Sequence, residues 1–137
     1  MGFDSSDFQR YVNNFTNMAS QFDAWMNTFL LNQGMRFLAS VKPRTPVDTG
    51  DLRNHWKLDG ITKQGENLKV WFVNPMVYAT FVEYGHAKPY KSGATEGSGD
   101  WVNGYFMMTV ALDEVDRNIP QRFDVEFTAF LAKLGVL

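Results

Sequence analysis

The sequence contains no cysteine, and only two of its 137 residues, His55 and His86, are histidine. The lack of cysteine excludes disulfide bonds and thiolate metal sites. Neither histidine has a second histidine at the spacing of a metal site, and no glycine-rich phosphate loop with its lysine is present. We therefore expect neither a metal nor a cofactor.

Long apolar runs and an excess of positive charge are also missing. No stretch approaches the roughly 18 consecutive apolar residues of a membrane helix, and residues 1–10 lack the basic and apolar regions of a secretion signal. With 13 basic and 15 acidic residues, the formal charge is −2, which argues against a protein that holds nucleic acid by its phosphates. The composition predicts a single domain over 1–137, compatible with the cytosol and independent of a membrane.

Aromatic residues are abundant, at 15% of the chain, and many of them mark a long helix over residues 5–40. Its apolar stripe steps by three and four residues. The members are Phe8, Tyr11, Phe15, Met18, Phe22, Trp25 and Phe29. The polar face of this helix carries asparagines and few charged residues, which favours contact with another chain. The alternative is that the helix packs only on the rest of its own domain.

Residues 44–74 predict a corner followed by a β-hairpin. Apolar residues alternate with polar ones from Leu52 to Leu58 and again from Leu68 to Phe72. Gly65 is expected at the turn and Gly60 at a bulge. The hairpin is the basis of the antiparallel sheet in an α+β fold.

The second half of the chain predicts helices separated by a loop. Asn74 and Gly85 have the chemistry of a helix cap and a helix terminator, so residues 75–85 are read as a short helix. Residues 86–100 are rich in glycine and serine and predict a flexible loop. Residues 101–135 are read as a long helix, kinked or broken near Pro120.

The triplet Asp48-Thr49-Gly50 spells the catalytic motif of aspartic proteases. Such enzymes place the aspartate on a loop that leaves a buried strand, so that two carboxylates can share a proton. Here the preceding residues include two prolines, and Asp51 adds a charge where a dyad would be packed. The triplet is therefore interpreted as a turn with Gly50 at positive φ, and no catalytic residue is assigned, although an acid hydrolase using Asp48 remains the enzymatic alternative.

Glu83 and His86 could form an acid–base pair, because only two residues separate them. A carboxylate between the apolar residues Val82 and Tyr84 is more often paired with a nearby cation than catalytic, and Arg53 is the candidate partner.

Two segments together resemble a known protein family. The chain is similar to the tail completion, or head–tail joining, proteins of long-tailed double-stranded DNA bacteriophages and prophages. The matching residues are Pro46, Val47, Asp48, Thr49, Gly50, Leu52 and Arg53, then Tyr78, Ala79, Val82, Glu83 and Gly85. The chain departs from the family pattern at His86, where a small hydroxyl residue is expected, and in its long aromatic first helix.

The resemblance implies structural work in the virion rather than catalysis. Such proteins form a ring, commonly of six copies, between the head-side connector or stopper and the tail terminator or tail tube, and genomic DNA passes through without specific binding. The protein would be in the host cytoplasm during assembly and in the neck of the finished virion. The candidate assembly residues are Phe15, Phe22, Trp25, Lys88, Tyr90, Ser92, Gly97 and Trp101. A generic protein-binding module with an aromatic face is the remaining alternative.

Overall fold

The structure, a computed structural model, describes residues 5–87 and 101–137 and has the predicted α+β architecture. A long helix precedes a hairpin, and a second long helix ends the chain. In chain order the elements are α1 (Ser5–Arg44), α2 (Asp51–Asn54), β1 (Lys57–Gln64), β2 (Asn67–Val73), α3 (Ala79–Tyr84), β3 (Gly85–Ala87), β4 (Trp101–Asn103) and α4 (Met107–Lys133).

Helices α1 and α4 pack together through an aromatic seam. The seam consists of Phe22, Trp25, Phe29, Phe123, Phe127 and Phe130. The Trp25 ring lies 5.2 Å from that of Phe127 and 5.3 Å from that of Phe130, between ring centroids. Offset and edge-on ring pairs of this kind add to the stabilisation from buried area. The part of the predicted stripe from Phe22 to Phe29 is thus used inside the chain, whereas Phe8, Tyr11 and Phe15 are at least half exposed.

The long helix continues to Arg44, four residues beyond the predicted end at 40. Pro43 is tolerated because it lies in the last turn, where one lost backbone donor disturbs little of the helix. The helix ends at the next proline, Pro46, which disfavours helical φ and ψ at Thr45.

Near its end α1 is tied to α4 by Glu114. The Glu114 carboxylate accepts hydrogen bonds from Arg44 at 2.6 Å and from Ser40 at 2.8 Å. Both hydrogen bonds lower the pKa of Glu114, and the bond from Arg44 has the larger effect. Because a lowered carboxyl pKa stabilises the fold only while the group is ionised, this contribution is lost as the pH falls through that pKa.

The hairpin β1–β2 has the predicted turn at Gly65 and the predicted irregularity, with the register shifting between Leu58 and Gly60. Leu68, Val70 and Phe72 face inward along β2, in agreement with the alternation in the sequence. The hairpin crosses α1 at Gly34, where a Cβ atom would come within 2.7 Å of Leu58 Cδ1. Gly34 therefore permits a close approach of helix and sheet.

The prediction that a strand begins at Leu52 is wrong for the first half of that segment. Residues Asp51–Asn54 form the short helix α2, and the strand begins at Lys57. Leu52 and Trp56 are both buried, and a spacing of four residues fits one face of a helical turn as well as one face of a strand.

The segment around the predicted loop also differs from the prediction. Helix α3 spans only Ala79–Tyr84, and Gly85–Ala87 pair with Trp101–Asn103 as the strands β3 and β4. The predicted helical start at Trp101 is therefore wrong, because the helix begins at Met107. Helix α4 then runs through Pro120 without interruption.

The main core lies where α1, α2, the hairpin, α3 and α4 meet. Phe37 stacks on Phe72 at 4.0 Å between centroids and meets the edge of Trp56 at 5.9 Å. The other buried members are Val41, Leu52, Met107, Ala111 and Val115. This core fixes the corner and α3, which together carry both sequence motifs.

Candidate functional site

The corner and the start of α3 form the two walls of an open groove of about 570 Å³. One wall comes from the segment Pro46–Leu52 and the other from Met76, Tyr78 and Val82. Both motifs that carry the family resemblance therefore meet at one site, although about thirty residues separate them in the sequence.

The corner that forms the first wall has the predicted turn geometry. Gly50 has φ of 88°, a conformation that favours glycine, and its carbonyl accepts a hydrogen bond from the Asn54 amide at 2.9 Å. The Thr49 hydroxyl accepts a longer bond from the Asp51 amide at 3.3 Å. The triplet thus turns the chain from α1 into α2, as predicted.

The described lining of the groove combines apolar side chains with two exposed carboxylates. Val47, Leu52, Met76 and Val82 supply apolar surface, while Asp48 and Asp51 are exposed at the rim. Among the described residues that line the groove, none is basic. The site therefore has the chemistry of a receptor for an apolar side chain accompanied by positive charge.

The position of Asp48 does not resemble an aspartic protease centre. A dyad needs two carboxylates held so closely that they share one proton. Here both corner carboxylates, Asp48 and Asp51, are exposed to solvent. Within residues 5–87 and 101–137, no three acidic or histidine side chains are grouped as a metal site either.

We predict a small effect for Asp48→Asn and a large one for Gly50→Val. The asparagine keeps the shape of an exposed side chain, so the free energy of unfolding should change by about 0.5 kcal/mol or less. A β-branched residue at φ of 88° is strained, and about 1–3 kcal/mol should be lost. Chemical denaturation of both variants measures this. Equal losses in the two would show that Gly50 is not a conformational requirement.

Arg53 binds the corner and does not bind Glu83. The predicted pairing of Arg53 with Glu83 is therefore wrong. The Arg53 guanidinium donates to the Thr45 carbonyl at 2.9 Å, and the Trp56 indole donates to the Thr45 hydroxyl at 2.9 Å. Thr45 is almost completely buried. These bonds hold the end of α1 against α2 and so fix the first wall of the groove.

Glu83 instead caps the N-terminus of α4. Its carboxylate accepts hydrogen bonds from the Met108 amide at 2.8 Å, the Thr109 amide at 2.9 Å and the Thr109 hydroxyl at 2.6 Å. The residue before the helix, Phe106, offers no side-chain cap. A carboxylate at a helix N-terminus satisfies amides that lack partners and interacts favourably with the helix dipole.

Two glycines let α3 and the start of α4 approach closely. Gly85 has φ of 88°, and a Cβ atom there would meet the Val102 carbonyl at 2.5 Å. A Cβ atom at Gly104 would collide with the Glu83 carbonyl. The Gly85 terminator is confirmed in its positive φ, and it also begins the strand β3.

His86 and Glu83 are not arranged as an acid–base pair. Both Glu83 oxygens are engaged by α4, and the His86 ring packs against Phe81 at 5.8 Å between centroids. His86 Nδ1 is buried without a hydrogen-bond partner among the described residues.

The predicted assembly residues occupy three different environments. Phe15 is 50% exposed on α1 and Trp101 is 58% exposed on β4, while Phe22 and Trp25 are half-buried in the aromatic seam. Lys88, Tyr90, Ser92 and Gly97 lie outside the described residues. The role of these residues in assembly stays a prediction.

The sequence did not predict an uncovered aromatic surface beside α3, of which only Trp101 was among the candidate assembly residues. We call it the aromatic face, and its members are Phe81, Tyr84, Trp101, Tyr105 and Phe106, each between 44% and 62% exposed. Tyr84 meets the edge of Phe106 at 6.5 Å between centroids. Reading Trp101 and Tyr105 as the start of a helix obscured it.

In the part of the chain that is described, no helix has the length and apolarity to cross a membrane.

Comparison with known proteins identifies the family to which the chain belongs. Residues 6–85, more than half of the chain, match the sequence model of the family described as "Bacteriophage HK97-gp10, putative tail-component". The match includes α1, the corner, the hairpin and α3, and therefore all residues of the groove. No curated protein and no solved structure matches the chain.

Proposed function

Because the chain belongs to the HK97-gp10 family of bacteriophage tail components, we propose that it is a structural subunit of the phage neck. In this role it completes the tail and joins it to the DNA-filled head. The subunit acts as a ring, of six copies, around the channel for DNA. The proposal makes it a structural protein rather than an enzyme.

The observation that carries the proposal is the pair of uncovered surfaces on either side of α3. Tyr78 and Val82 face the groove, whereas Phe81 and Tyr84 belong to the aromatic face. A subunit of a neck ring must contact the next copy and also a partner on the head or tail side, so it needs more than one uncovered surface. Exposed aromatic clusters are a common feature of such interfaces.

The buried contacts around α3 support an assembly role in a second way. Glu83, Gly85 and Gly104 connect α3 to the start of α4, so both surfaces sit on backbone that is held by hydrogen bonds and close packing. A surface that is already ordered loses less conformational entropy on docking. The net charge of −2 suits a conduit that does not grip passing DNA.

The partners that this role requires are the head-side connector or stopper and the tail terminator or tail tube protein. The aromatic face is the surface we assign to one of these partners, because its five described members are exposed, uncharged aromatic side chains. Contacts between copies would then use other surfaces of the subunit.

We expect the protein in purified virions, at the neck and at six copies per particle. Quantitative mass spectrometry against the portal protein would give the copy number, and gold-labelled antibody in electron micrographs would give the position. The major tail tube protein is a suitable control for labelling along the whole tail. Gold label along the whole tail tube would contradict the neck assignment, and so would the absence of the protein from intact virions.

A further inference from the structure

The outer face of the hairpin β1–β2 carries an exposed aromatic ring together with two amines. Phe72 packs against α1, and the alternation of side chains along a strand turns its neighbour Trp71 away from that helix. Trp71 is 49% exposed, and Lys69, two positions earlier, lies on the same face. Lys57 lies there as well, because it pairs with Val73 of β2. We call Lys57, Lys69 and Trp71 the hairpin patch.

The charges of the hairpin patch are not neutralised by ion pairs within residues 5–87 and 101–137. Neither lysine forms an ion pair there, and Lys69 reaches only the amide oxygen of Gln64, at 3.5 Å. The exposed carboxylate of Asp59 at the bulge offsets part of the positive charge. The patch therefore offers a large apolar ring and two amines that are available to a partner, and tryptophan is enriched at protein interfaces.

A hydrogen bond holds the ring of Trp71 in place. Its indole nitrogen donates to the Thr62 hydroxyl of the neighbouring strand at 2.7 Å. The sheet beneath the ring is held as well, because its inner face packs on α1, where Gly34 lets Leu58 approach closely. A side chain that is already fixed loses less conformational entropy on docking.

The groove between the corner and α3 has the complementary chemistry. Its described lining includes the apolar side chains of Val47 and Val82, and the carboxylates of Asp48 and Asp51 are exposed there. Neither carboxylate forms an ion pair with a described residue. An aromatic ring that carries amines on its own face would bring apolar surface to the lining and positive charge to the carboxylates.

We propose that the hairpin patch of one copy docks in the groove of the next copy. Trp71 would cover the apolar lining, and the two lysines of the patch would face Asp48 and Asp51. The proposal rests on the proposed function and deepens it, because it names the contact by which one ring subunit binds the next.

The fold favours a second copy over the same chain as the source of the ring. No hairpin residue is among the described residues that line the groove. The hairpin is fixed to α1, so Trp71 could turn toward the groove of its own subunit only if the contact between Phe72 and Phe37 were lost. Donor and receptor are thus different surfaces of one subunit, and a contact of this kind closes into a ring when the rotation permits.

Pairwise cysteine crosslinking tests the contact directly, because the chain has no cysteine of its own. Virions assembled from a mixture of Val47→Cys and Lys69→Cys subunits and treated with a short bismaleimide should give a mixed dimer, identified by mass spectrometry of the linked peptides. A Val125→Cys and Lys69→Cys mixture is the matched control, since Val125 is 65% exposed on α4 and is not among the described groove residues. We expect the groove pair to crosslink at least about tenfold more than the control.

A subunit that carries both Val47→Cys and Lys69→Cys shows how the copies are arranged. A ladder of oligomers ending at a closed ring supports the proposal, and a crosslinked monomer, or a dimer without larger products, would overturn it. If the subunit is found in the neck but the groove pair crosslinks no better than the control, the docking proposal is wrong and the proposed function stands. Absence of the subunit from virions would instead remove the proposed function, and the ring contact with it.

Charge exchange provides a second measurement in case the cysteine variants fail to assemble. Lys57→Glu with Lys69→Glu should lower the infectious titre by roughly tenfold or more, because like charges would then meet at the contact. Adding Asp48→Lys and Asp51→Lys should restore the titre. An unchanged titre in the first variant, or no rescue by the second pair, contradicts the proposed contact.

Lys63→Glu is the matched control for the single variant Lys69→Glu. Both lysines are exposed on the hairpin, but Lys63 pairs with Leu68 on the side that faces α1. Lys69→Glu should lower the titre and Lys63→Glu should not. Equal losses would show that the titre follows the net charge of the hairpin and that the outer face is not a docking surface. Unchanged thermal unfolding of the variants shows that the fold is intact.

Discussion

A phage that lacks this protein is expected to produce DNA-filled heads and separate tails, with almost no joined particles. DNA packaging depends on the portal, and polymerisation of the tube depends on the tail initiator, so neither step requires the neck ring. What is lost is the interface that the groove and the aromatic face are proposed to complete. Infectious titre should therefore fall by orders of magnitude while both halves accumulate.

Electron microscopy of the deletion lysate measures this outcome, and complementation supplies its control. Purified protein added to the lysate should restore plaques if the ring is added late. A variant with serine in place of Phe81 and Tyr105, both more than half exposed, should fold but fail to restore them. Joined particles in the deletion lysate would exclude the neck assignment, and lysates with only empty, unprocessed shells would place the function on the head side.

The sequence predicts those parts of the fold in which the spacing of the apolar residues fits either a helix or a strand but not both. The stripe from Phe22 to Phe29 steps as a helix does, and it packs on α4 as an amphipathic helix should. The alternation from Leu68 to Phe72 is that of a half-buried strand, and it was confirmed. Patterns compatible with two periods were read incorrectly, as Leu52 and Trp56 show.

Glycine and long-range contacts explain most of the remaining errors. The spacing from Trp101 to Tyr105 fits a helix, but Gly104 lies between them and packs against the backbone of Glu83 and Tyr84. Nothing in the local sequence announces that contact, because its partner is about twenty residues earlier in the chain. The aromatic face was hidden by the same error.

The turn at the corner was easier to predict from the sequence than the roles of the two charged motif residues, Arg53 and Glu83. Gly50 follows residues that favour a turn, and its positive φ was predicted from them. Arg53 and Glu83 were expected to pair because their charges are opposite, yet each one binds backbone groups that charge counting does not consider. The motif residues thus divide into those that line the groove and those that hold its walls.

Loss of the Glu83 carboxylate should destabilise the fold strongly. Glu83 is only 3% exposed, and its carboxylate accepts three hydrogen bonds from the first turn of α4. Glu83→Ala would remove the acceptor of two amides and a hydroxyl in a partly buried place, and we expect a loss of about 3 kcal/mol. Since a domain of this size is stable by about 5–15 kcal/mol, the midpoint of thermal unfolding should fall by roughly 10 °C.

Two further variants show whether the cap itself is responsible. Glu83→Gln keeps the shape and one acceptor oxygen but loses the charge that favours a helix N-terminus, so it should lose about 1–2 kcal/mol. Glu66→Gln, in the exposed hairpin turn, should leave the midpoint unchanged. If Glu83→Ala unfolds at the same temperature as Glu66→Gln, the carboxylate does not hold α4, and the two surfaces beside α3 must be positioned by the backbone contacts of Gly85 and Gly104 alone.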